Sequence, residues 1–236
     1  MKSSLPTLLL IPCLALGQQK VDEGYTAKIR EFTTDKMFLT ELVDHLPEGG
    51  KVPSPEKVLG YIAGTPFKLT HASNVHKYFR ALGSATPRVK VFSIGNSEEG
   101  REMIVACISD EANLAKLERN KELMAKLADP RKTDPAAAQA AMKEVVPMYW
   151  LTGSLHSTET GSPEMLMELA YRLAVEETPF IETIRKNMIV MITPVSDVDG
   201  RERMVDLYNW RRAHEKQASP NLIYWGKYVA HDNNCL

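Results

Sequence analysis

Two short apolar runs on either side of a helix-like stretch constrain the fold of this chain more than any other sequence feature. The first run covers Val145 to Leu151 and the second covers Met188 to Ile192. Between them, Ser162-Pro163-Glu164 has the signature of a helix start: a capping hydroxyl, a proline in the first turn and an acid near the positive helix end. Strand, helix and strand at these lengths predict a βαβ unit with parallel strands. We expect the first strand to be buried on both faces.

The residues before this unit predict a hairpin and several helices. Arg88 to Ile94 alternates polar and apolar residues, Met103 to Ile108 is a denser apolar run, and Gly95 to Gly100 links them as a hairpin loop. Residues 18–73 are punctuated by proline and glycine, which predicts an irregular lead segment with short helices. We therefore predict an α/β fold with a mixed, largely parallel sheet flanked by helices. The predicted helices before the unit are Asn74 to Gly83, Ala112 to Lys126 and Ala136 to Glu144.

Composition and the N-terminus limit the classes of function and the place where the protein acts. The chain has 29 Lys and Arg against 30 Asp and Glu, a formal net charge of −1, which argues against a nucleic-acid partner. Leu5 to Leu16 is apolar apart from Thr7, and Ala15-Leu16-Gly17 offers the small residues of a signal peptidase site. We expect residues 1–17 to be a signal peptide. The protein would be exported, secreted or periplasmic, with no membrane association after cleavage.

His156 and Glu159 are the candidate metal ligands. They follow the first predicted strand, and the carboxyl ends of parallel strands are where sites gather in such sheets. An imidazole and a carboxylate three residues apart in a short turn can bind one Zn²⁺ together and leave positions for a third ligand and water. The alternative is a hydrogen-bonded surface pair. His45 and Glu48 have the same spacing, but Pro47 lies between them and no strand precedes them, so we interpret that pair as chance.

From Asn74 to the C-terminus, five short motifs resemble those of the zinc carboxypeptidases of the peptidase M14 class, and they occur in the same order. They are Ile94 to Arg101 (similar to iGxSxEGR), His156 to Glu159 (HxxE), Pro194 to Gly200 (similar to PxxNPDG, with Asp197 and Val198 for Asn and Pro), Trp210-Arg211-Arg212 (Trp-Arg-Lys) and Asp232-Asn233-Asn234 (Asp-x-Asn-Arg). The resemblance implies that residues 74–236 are the N-terminal part of a zinc-carboxypeptidase-like catalytic domain. It implies a hydrolase that cuts peptide or protein substrates at or near the C-terminus with a metal-activated water.

The resemblance also implies a role for each matching residue. His156 and Glu159 would be two of three ligands to one zinc ion. Arg211 would polarise the scissile carbonyl and stabilise the oxyanion, which suits a guanidinium that keeps its charge. Asp232 would accept the free N–H of His156 and fix its tautomer. Asn234 would help to hold the terminal carboxylate of the substrate.

Two departures from the family pattern concern the C-terminal end. Cys235 stands where the family has an arginine after Asn234, and a thiol cannot form the bidentate ion pair that recognises a carboxylate. The third zinc ligand and the general-base glutamate of the family would lie beyond Leu236. We therefore expect a fold that is incomplete at the C-terminus and a chain with weak zinc affinity.

Two other functions are weighed against a zinc carboxypeptidase. The first is a catalytically inactive relative that binds peptides or acts as a scaffold, which the substitution at Cys235 favours. The second is a serine hydrolase that uses Ser97. Residues Gly95 to Gly100 are one residue too long for a nucleophile elbow, and they link two strands where an elbow leads into a helix. The sequence therefore disfavours the serine hydrolase.

Overall fold

The computed structural model describes residues 19–221, in which a four-stranded mixed sheet packs against helices on both faces. The strands are β1 Val89–Asn96, β2 Glu102–Ile108, β3 Met148–Thr152 and β4 Ile189–Thr193. They lie in the order β1-β2-β4-β3. The first two form an antiparallel hairpin, β2 also pairs antiparallel with β4, and β3 pairs parallel with β4.

The predicted mixed sheet with flanking helices is confirmed, and so is the parallel pair of the βαβ unit. The expectation that the sheet is largely parallel is wrong for residues 19–221, where parallel pairing is confined to β3 and β4. The other two pairings are antiparallel because the second hairpin strand, and not a strand of another crossover unit, lies beside β4.

The helices match the predicted stretches closely where an apolar stripe is present. The predicted helix of residues 112–126 is divided at Lys116, whose φ of −103° and ψ of 18° leave the helical region. No helix in the described part of the chain is both long and apolar enough to cross a membrane. The helix bounds are α1 Glu23–Phe32, α2 Pro55–Leu59, α3 Ala72–Ala85, α4 Glu111–Ala115, α5 Leu117–Ala128, α6 Pro135–Glu144, α7 Gly161–Val175, α8 Pro179–Asn187 and α9 Val198–Ala213, with a short 3₁₀ helix at Lys36–Phe38.

The lead segment contains the predicted short helices and contributes to the same hydrophobic core as the sheet. Tyr25, Leu46 and Ile62 are buried within that core. The Tyr25 hydroxyl donates to Glu168 Oε2 at 3.1 Å, and the Tyr171 hydroxyl donates to the Pro47 carbonyl at 3.0 Å. These contacts join the lead segment to α7, the helix of the βαβ unit. The domain boundary before residue 74 stays a prediction.

The expectation that β3 is buried on both faces is wrong. Tyr149 and Trp150 are 58% and 56% exposed, whereas β4 is buried along most of its length. The reason is position in the sheet: among the described strands β4 is flanked by two partners and β3 by one. Continuous apolar character predicted a strand correctly but not its place in the strand order.

The start of α7 differs from its prediction in one detail that matters for the site. The helix begins at Gly161, and Ser162 is its second residue rather than its cap. The Ser162 hydroxyl accepts a hydrogen bond from the Ser154 backbone N–H at 2.8 Å. This side chain therefore fixes the loop between β3 and α7 instead of capping the helix.

Candidate metal centre

Two loops at the carboxyl ends of the parallel strands are joined by their main chains. We call residues 153–160 the β3 loop and residues 194–197 the β4 loop. Gly153 N–H donates to the Thr193 carbonyl at 2.9 Å, Ser196 N–H to the Gly153 carbonyl at 2.8 Å, and Asp197 N–H to the Ser154 carbonyl at 3.0 Å. Ser154 has a positive φ of 50°, so the β3 loop turns sharply just after the strand. The pairing of the strands thus continues into the loops.

The β3 loop brings the two predicted ligands together. His156 Nδ1 lies 2.9 Å from Glu159 Oε2, and Glu159 N–H donates to the His156 carbonyl at 3.0 Å. The His156 side chain is 20% exposed, and that of Glu159 is 67% exposed. One donor is therefore held by its surroundings, while the other lies at the surface and can rotate.

The two side chains fit a zinc ion in donor type and in spacing. A tetrahedral ion bound by imidazole nitrogen and carboxylate oxygen separates those atoms by about 3.4 Å. The observed 2.9 Å is a hydrogen-bond distance. Rotation of the exposed Glu159 side chain that moves its carboxylate by about 0.5 Å would bring the two atoms to the separation that zinc requires. Across residues 19–221 there is no group of three or more His, Cys, Asp or Glu side chains that could hold a metal. Within this part of the chain, His156 and Glu159 are therefore a pair of candidate donors and not a complete metal site.

The first turn of α9 packs directly beneath the β3 loop. A Cβ atom on Gly200 would lie 2.0 Å from Asp197 Oδ2 and 2.7 Å from Ser157 Cβ, so only glycine allows this approach. Ser157, which stands between the two candidate ligands, is completely buried. Asp197 Oδ1 accepts the Gly200 N–H at 2.9 Å and caps the helix. Burial raises the pKa of Asp197 above its usual value.

Asp199 connects this turn to the β1–β2 turn, residues 97–101. Its carboxylate is 4% exposed. Oδ1 accepts hydrogen bonds from the Ser97 hydroxyl at 2.8 Å and from Arg101 Nη1 at 2.7 Å, and Oδ2 accepts one from Glu99 N–H at 3.2 Å. Both segments are recognisable as motifs in the sequence, but no sequence signal indicates that they contact each other.

Arg201 is a buried residue near the site that sequence analysis missed. Its guanidinium is fully buried and donates to the Thr160 carbonyl at 2.9 Å, to the Thr70 carbonyl at 2.9 Å and to Glu164 Oε1 at 2.8 Å. Burial lowers the pKa of Arg201, and the neighbouring Glu164 carboxylate opposes that shift. Because Thr160 ends the β3 loop, Arg201 holds the end of the loop that lies opposite to Gly153.

A groove of about 870 Å³ adjoins the β3 loop at Thr158 and Thr160. Its walls come from the lead segment, α7, α8 and α9. Several of its apolar side chains are exposed: Leu42, Val43, Phe67, Met165 and Phe180. The candidate ligands therefore lie beside an apolar surface.

The remaining predicted site residues are not brought to the β3 loop by the described structure. Arg211 lies in the last turn of α9, where its Nε contacts the Ser219 hydroxyl and its Nη2 donates to the Pro220 carbonyl at 3.1 Å. Fourteen helical positions separate it from Asp197, which is about 20 Å along the axis. Asp232 and Asn234 lie outside the described residues. The catalytic and binding roles of these three residues stay predictions.

Comparison with known proteins defines the class of this chain. The zinc carboxypeptidase family, Peptidase M14, matches residues 75–233, about two thirds of the sequence. The chain therefore belongs to the zinc carboxypeptidase family. No curated protein matches the chain in sequence.

Solved structures similar to the chain include the following two. Carboxypeptidase A from Helicoverpa armigera is 20% identical with a TM-score of 0.39, and the match covers 62% of this chain and 31% of that protein. Thrombin activatable fibrinolysis inhibitor is 14% identical with a TM-score of 0.40, covering 64% of this chain and 31% of that protein. The matched region thus spans less than a third of the length of either solved protein.

Proposed function

We propose that this chain carries part of the site of a zinc-dependent metallocarboxypeptidase that hydrolyses peptide bonds at or near the C-terminus of peptide or protein substrates. The observation that carries the proposal is the 2.9 Å approach of His156 Nδ1 to Glu159 Oε2 in the loop after a parallel strand. Family membership supports the reaction class, since the matched family is that of zinc carboxypeptidases.

His156 Nδ1 and a Glu159 carboxylate oxygen would hold a single Zn²⁺. When bound, the ion supplies a Lewis acid that polarises the scissile carbonyl and lowers the pKa of a water molecule. Ser157, next to the imidazole in the chain, is buried against Gly200, and the exposed Glu159 carboxylate would complete the pair by rotation. The exposed apolar groove beside Thr158 gives a peptide chain a surface to lie on next to the donors.

Three further residues belong to the proposal through their places in the family motifs. Arg211 would stabilise the oxyanion, Asn234 would hold the substrate carboxylate, and Asp232 would accept the His156 N–H. Residues 1–17 would direct export, which places the enzyme in a secreted or periplasmic location.

Zinc titration of the purified full chain, followed by calorimetry, tests the metal part of the proposal. We expect His156→Ala and Glu159→Ala each to weaken zinc binding by about tenfold or more. His45→Ala is the matched control, because His45 has a glutamate three residues later but its Nδ1 lies 2.5 Å from Asp44 Oδ1. That variant should bind zinc within about twofold of the unchanged chain.

The catalytic part is tested by incubating the chain and zinc with a mixture of peptides and following the loss of C-terminal residues by mass spectrometry. Release that disappears in Glu159→Ala supports the carboxypeptidase. Zinc binding that does not depend on His156 overturns the proposal. Binding that depends on His156 without any release would instead support the non-catalytic relative that binds peptides.

A further inference from the structure

We infer that Arg101 and Asp199 are positioning residues that hold the β3 loop, and with it His156 and Glu159, in the conformation required for metal binding. Neither residue touches the candidate ligands. They act through the first turn of α9, which contacts both the β1–β2 turn and the β3 loop. The relevance of this device to metal binding rests on the proposed function, but the control of loop conformation can be measured without a metal.

The β1–β2 turn binds the Asp199 side chain through several hydrogen bonds. Three donors converge on one buried carboxylate: the Ser97 hydroxyl, the Arg101 guanidinium and the Glu99 backbone N–H. Both carboxylate oxygens are engaged, so rotation of the side chain breaks at least one hydrogen bond. The position of Asp199 relative to the hairpin is therefore fixed in direction as well as in distance.

A second contact lies one helical turn further along α9. Arg203 forms an ion pair with Glu99, and residues four apart on a helix share a face. Arg101 also pairs with Glu99, at 2.5 Å. The β1–β2 turn thus holds α9 at two successive points, through Asp199 and Arg203, and these contacts oppose both sliding and rotation of the helix start.

The first turn of α9 contacts the β3 loop at three places. Asp197 N–H donates to the Ser154 carbonyl at 3.0 Å, Gly200 packs against Ser157, and Arg201 donates to the Thr160 carbonyl. These three contacts lie before, between and after the two candidate ligands. A displacement of the first turn of α9 therefore moves the segment that carries His156 and Glu159.

Arg101 is the best residue at which to test this linkage. Its side chain is 40% exposed, so its removal leaves no cavity in the core. The Asp199 carboxylate loses this cation but keeps the hydrogen bonds from the Ser97 hydroxyl and the Glu99 N–H. Arg80 provides a matched control: its side chain is 48% exposed and pairs with Glu102 of the same hairpin at 2.6 Å. The Arg80 pair does not involve α9. Arg101→Ala thus removes a half-exposed arginine that pairs with Glu99 and Asp199, whereas Arg80→Ala removes a similarly exposed arginine that pairs with Glu102 alone.

Hydrogen exchange of the metal-free full chain, measured by NMR, is the primary experiment. In Arg101→Ala we expect the Glu159, Ser196 and Asp197 amides to exchange about tenfold faster, because local opening of the two loops becomes easier. The amides of the β2–β4 ladder should keep their rates. Arg80→Ala should leave the loop amides unchanged. Arg101→Lys, which retains the charge, should restore part of the protection.

Zinc titration is the second readout, with about tenfold weaker binding expected for Arg101→Ala and for Asp199→Asn. Loop amides that exchange no faster in Arg101→Ala than in Arg80→Ala overturn the inference. Uniform acceleration of all amides also overturns it, because that result indicates a loss of global stability alone. If the loop amides respond but the unchanged chain binds no zinc through His156, the proposed function fails while the positioning role stands.

Discussion

Arg201 Nη2 lies 2.8 Å from Glu164 Oε1, and the two side chains are 0% and 9% exposed. This buried pair joins the first turn of α9 to the first turn of α7. Thr70 contacts both members of the pair: its N–H and hydroxyl donate to the Glu164 carboxylate, and its carbonyl accepts a hydrogen bond from Arg201. Both helices that flank the candidate centre are therefore fixed to each other and to the lead segment at one point.

Removing one member of this pair should be strongly destabilising. Arg201→Met fills most of the same volume but leaves the Glu164 carboxylate buried without its cation, which typically costs about 3–5 kcal/mol. Urea denaturation of the full chain measures the change. Arg119→Ala, which breaks the exposed pair with Glu144 at 2.8 Å, is the control and should leave the denaturation midpoint nearly unchanged. A loss below about 1 kcal/mol for Arg201→Met would contradict the assigned burial.

The glycine beneath the β3 loop should not accept a methyl group. In Gly200→Ala the new Cβ would clash with Asp197 and Ser157, and we expect a loss of about 1–3 kcal/mol in the free energy of unfolding. Gly161→Ala, at the start of α7, is the control because a Cβ there meets nothing within 4 Å. That change should be neutral or should stabilise by about 0.4–1 kcal/mol. Equal thermal midpoints for the two variants would refute the close approach.

Asp197→Asn should stabilise the protein at neutral pH. Burial raises the pKa of this carboxyl in the folded state, so the folded protein resists its ionisation, and stability falls as pH rises through the folded pKa. Asparagine keeps the helix cap without the charge. We expect a gain of about 1 kcal/mol near pH 7 that disappears near pH 3, measured by urea denaturation.

The control for this prediction is Asp134→Asn, at the exposed cap of α6, where the side chain accepts the Ala137 N–H at 2.9 Å. Loss of that exposed charge should change stability by less than about 0.5 kcal/mol at pH 7. A gain for Asp197→Asn that is the same at acid and neutral pH would show that ionisation is not its cause.

Tyr25→Phe should weaken the attachment of the lead segment in a pH-dependent way. The Tyr25 hydroxyl donates to Glu168 and accepts the Ala63 N–H at 3.3 Å. Burial raises the pKa of Glu168, and the hydrogen bond from Tyr25 opposes that shift by favouring the ionised form. Loss of this hydrogen bond should lower the free energy of unfolding by about 1–2 kcal/mol near pH 7. The loss should be smaller near pH 4, where the Glu168 carboxyl takes up a proton.

Tyr149→Phe is the matched change at an exposed tyrosine and should be neutral within about 0.5 kcal/mol at both pH values. Chemical denaturation at the two pH values compares the variants. A larger deficit at acid pH than at neutral pH for Tyr25→Phe would reverse the sign of the predicted linkage.

The local elements of the fold were predictable because their signals lie within short stretches of sequence. Periodicity and helix-start residues located α3, α6, α7 and the four strands to within a few residues. The whole of α9 was not predicted, since Val198 and Val205 are its only buried apolar residues and leave no apolar stripe to detect. Burial of β3 was also mispredicted, because the strand order is not encoded in the strand itself.

The proximity of His156 to Glu159 was predictable from the sequence, but the contacts that support their loop were not. The two residues are three positions apart and follow a predicted strand, so a short turn brings them together. The contacts that hold their loop join residues far apart: Ser97 with Asp199, and Thr70 with Arg201. Nothing in a single sequence pairs such positions, and only the folded chain shows which buried polar groups satisfy one another.

The hydrogen bonds that join the β3 loop to the β4 loop involve main-chain atoms only. Side-chain substitutions at the surface of these loops therefore leave that framework in place. The backbone conformation of the β3 loop therefore does not depend on which exposed side chains it carries. A descendant of this chain with another residue in place of Glu159 would keep the same bend after β3. The conformation of the region is consequently expected to outlast its chemistry during evolution, and a lost donor could be regained by a single substitution without rebuilding the backbone.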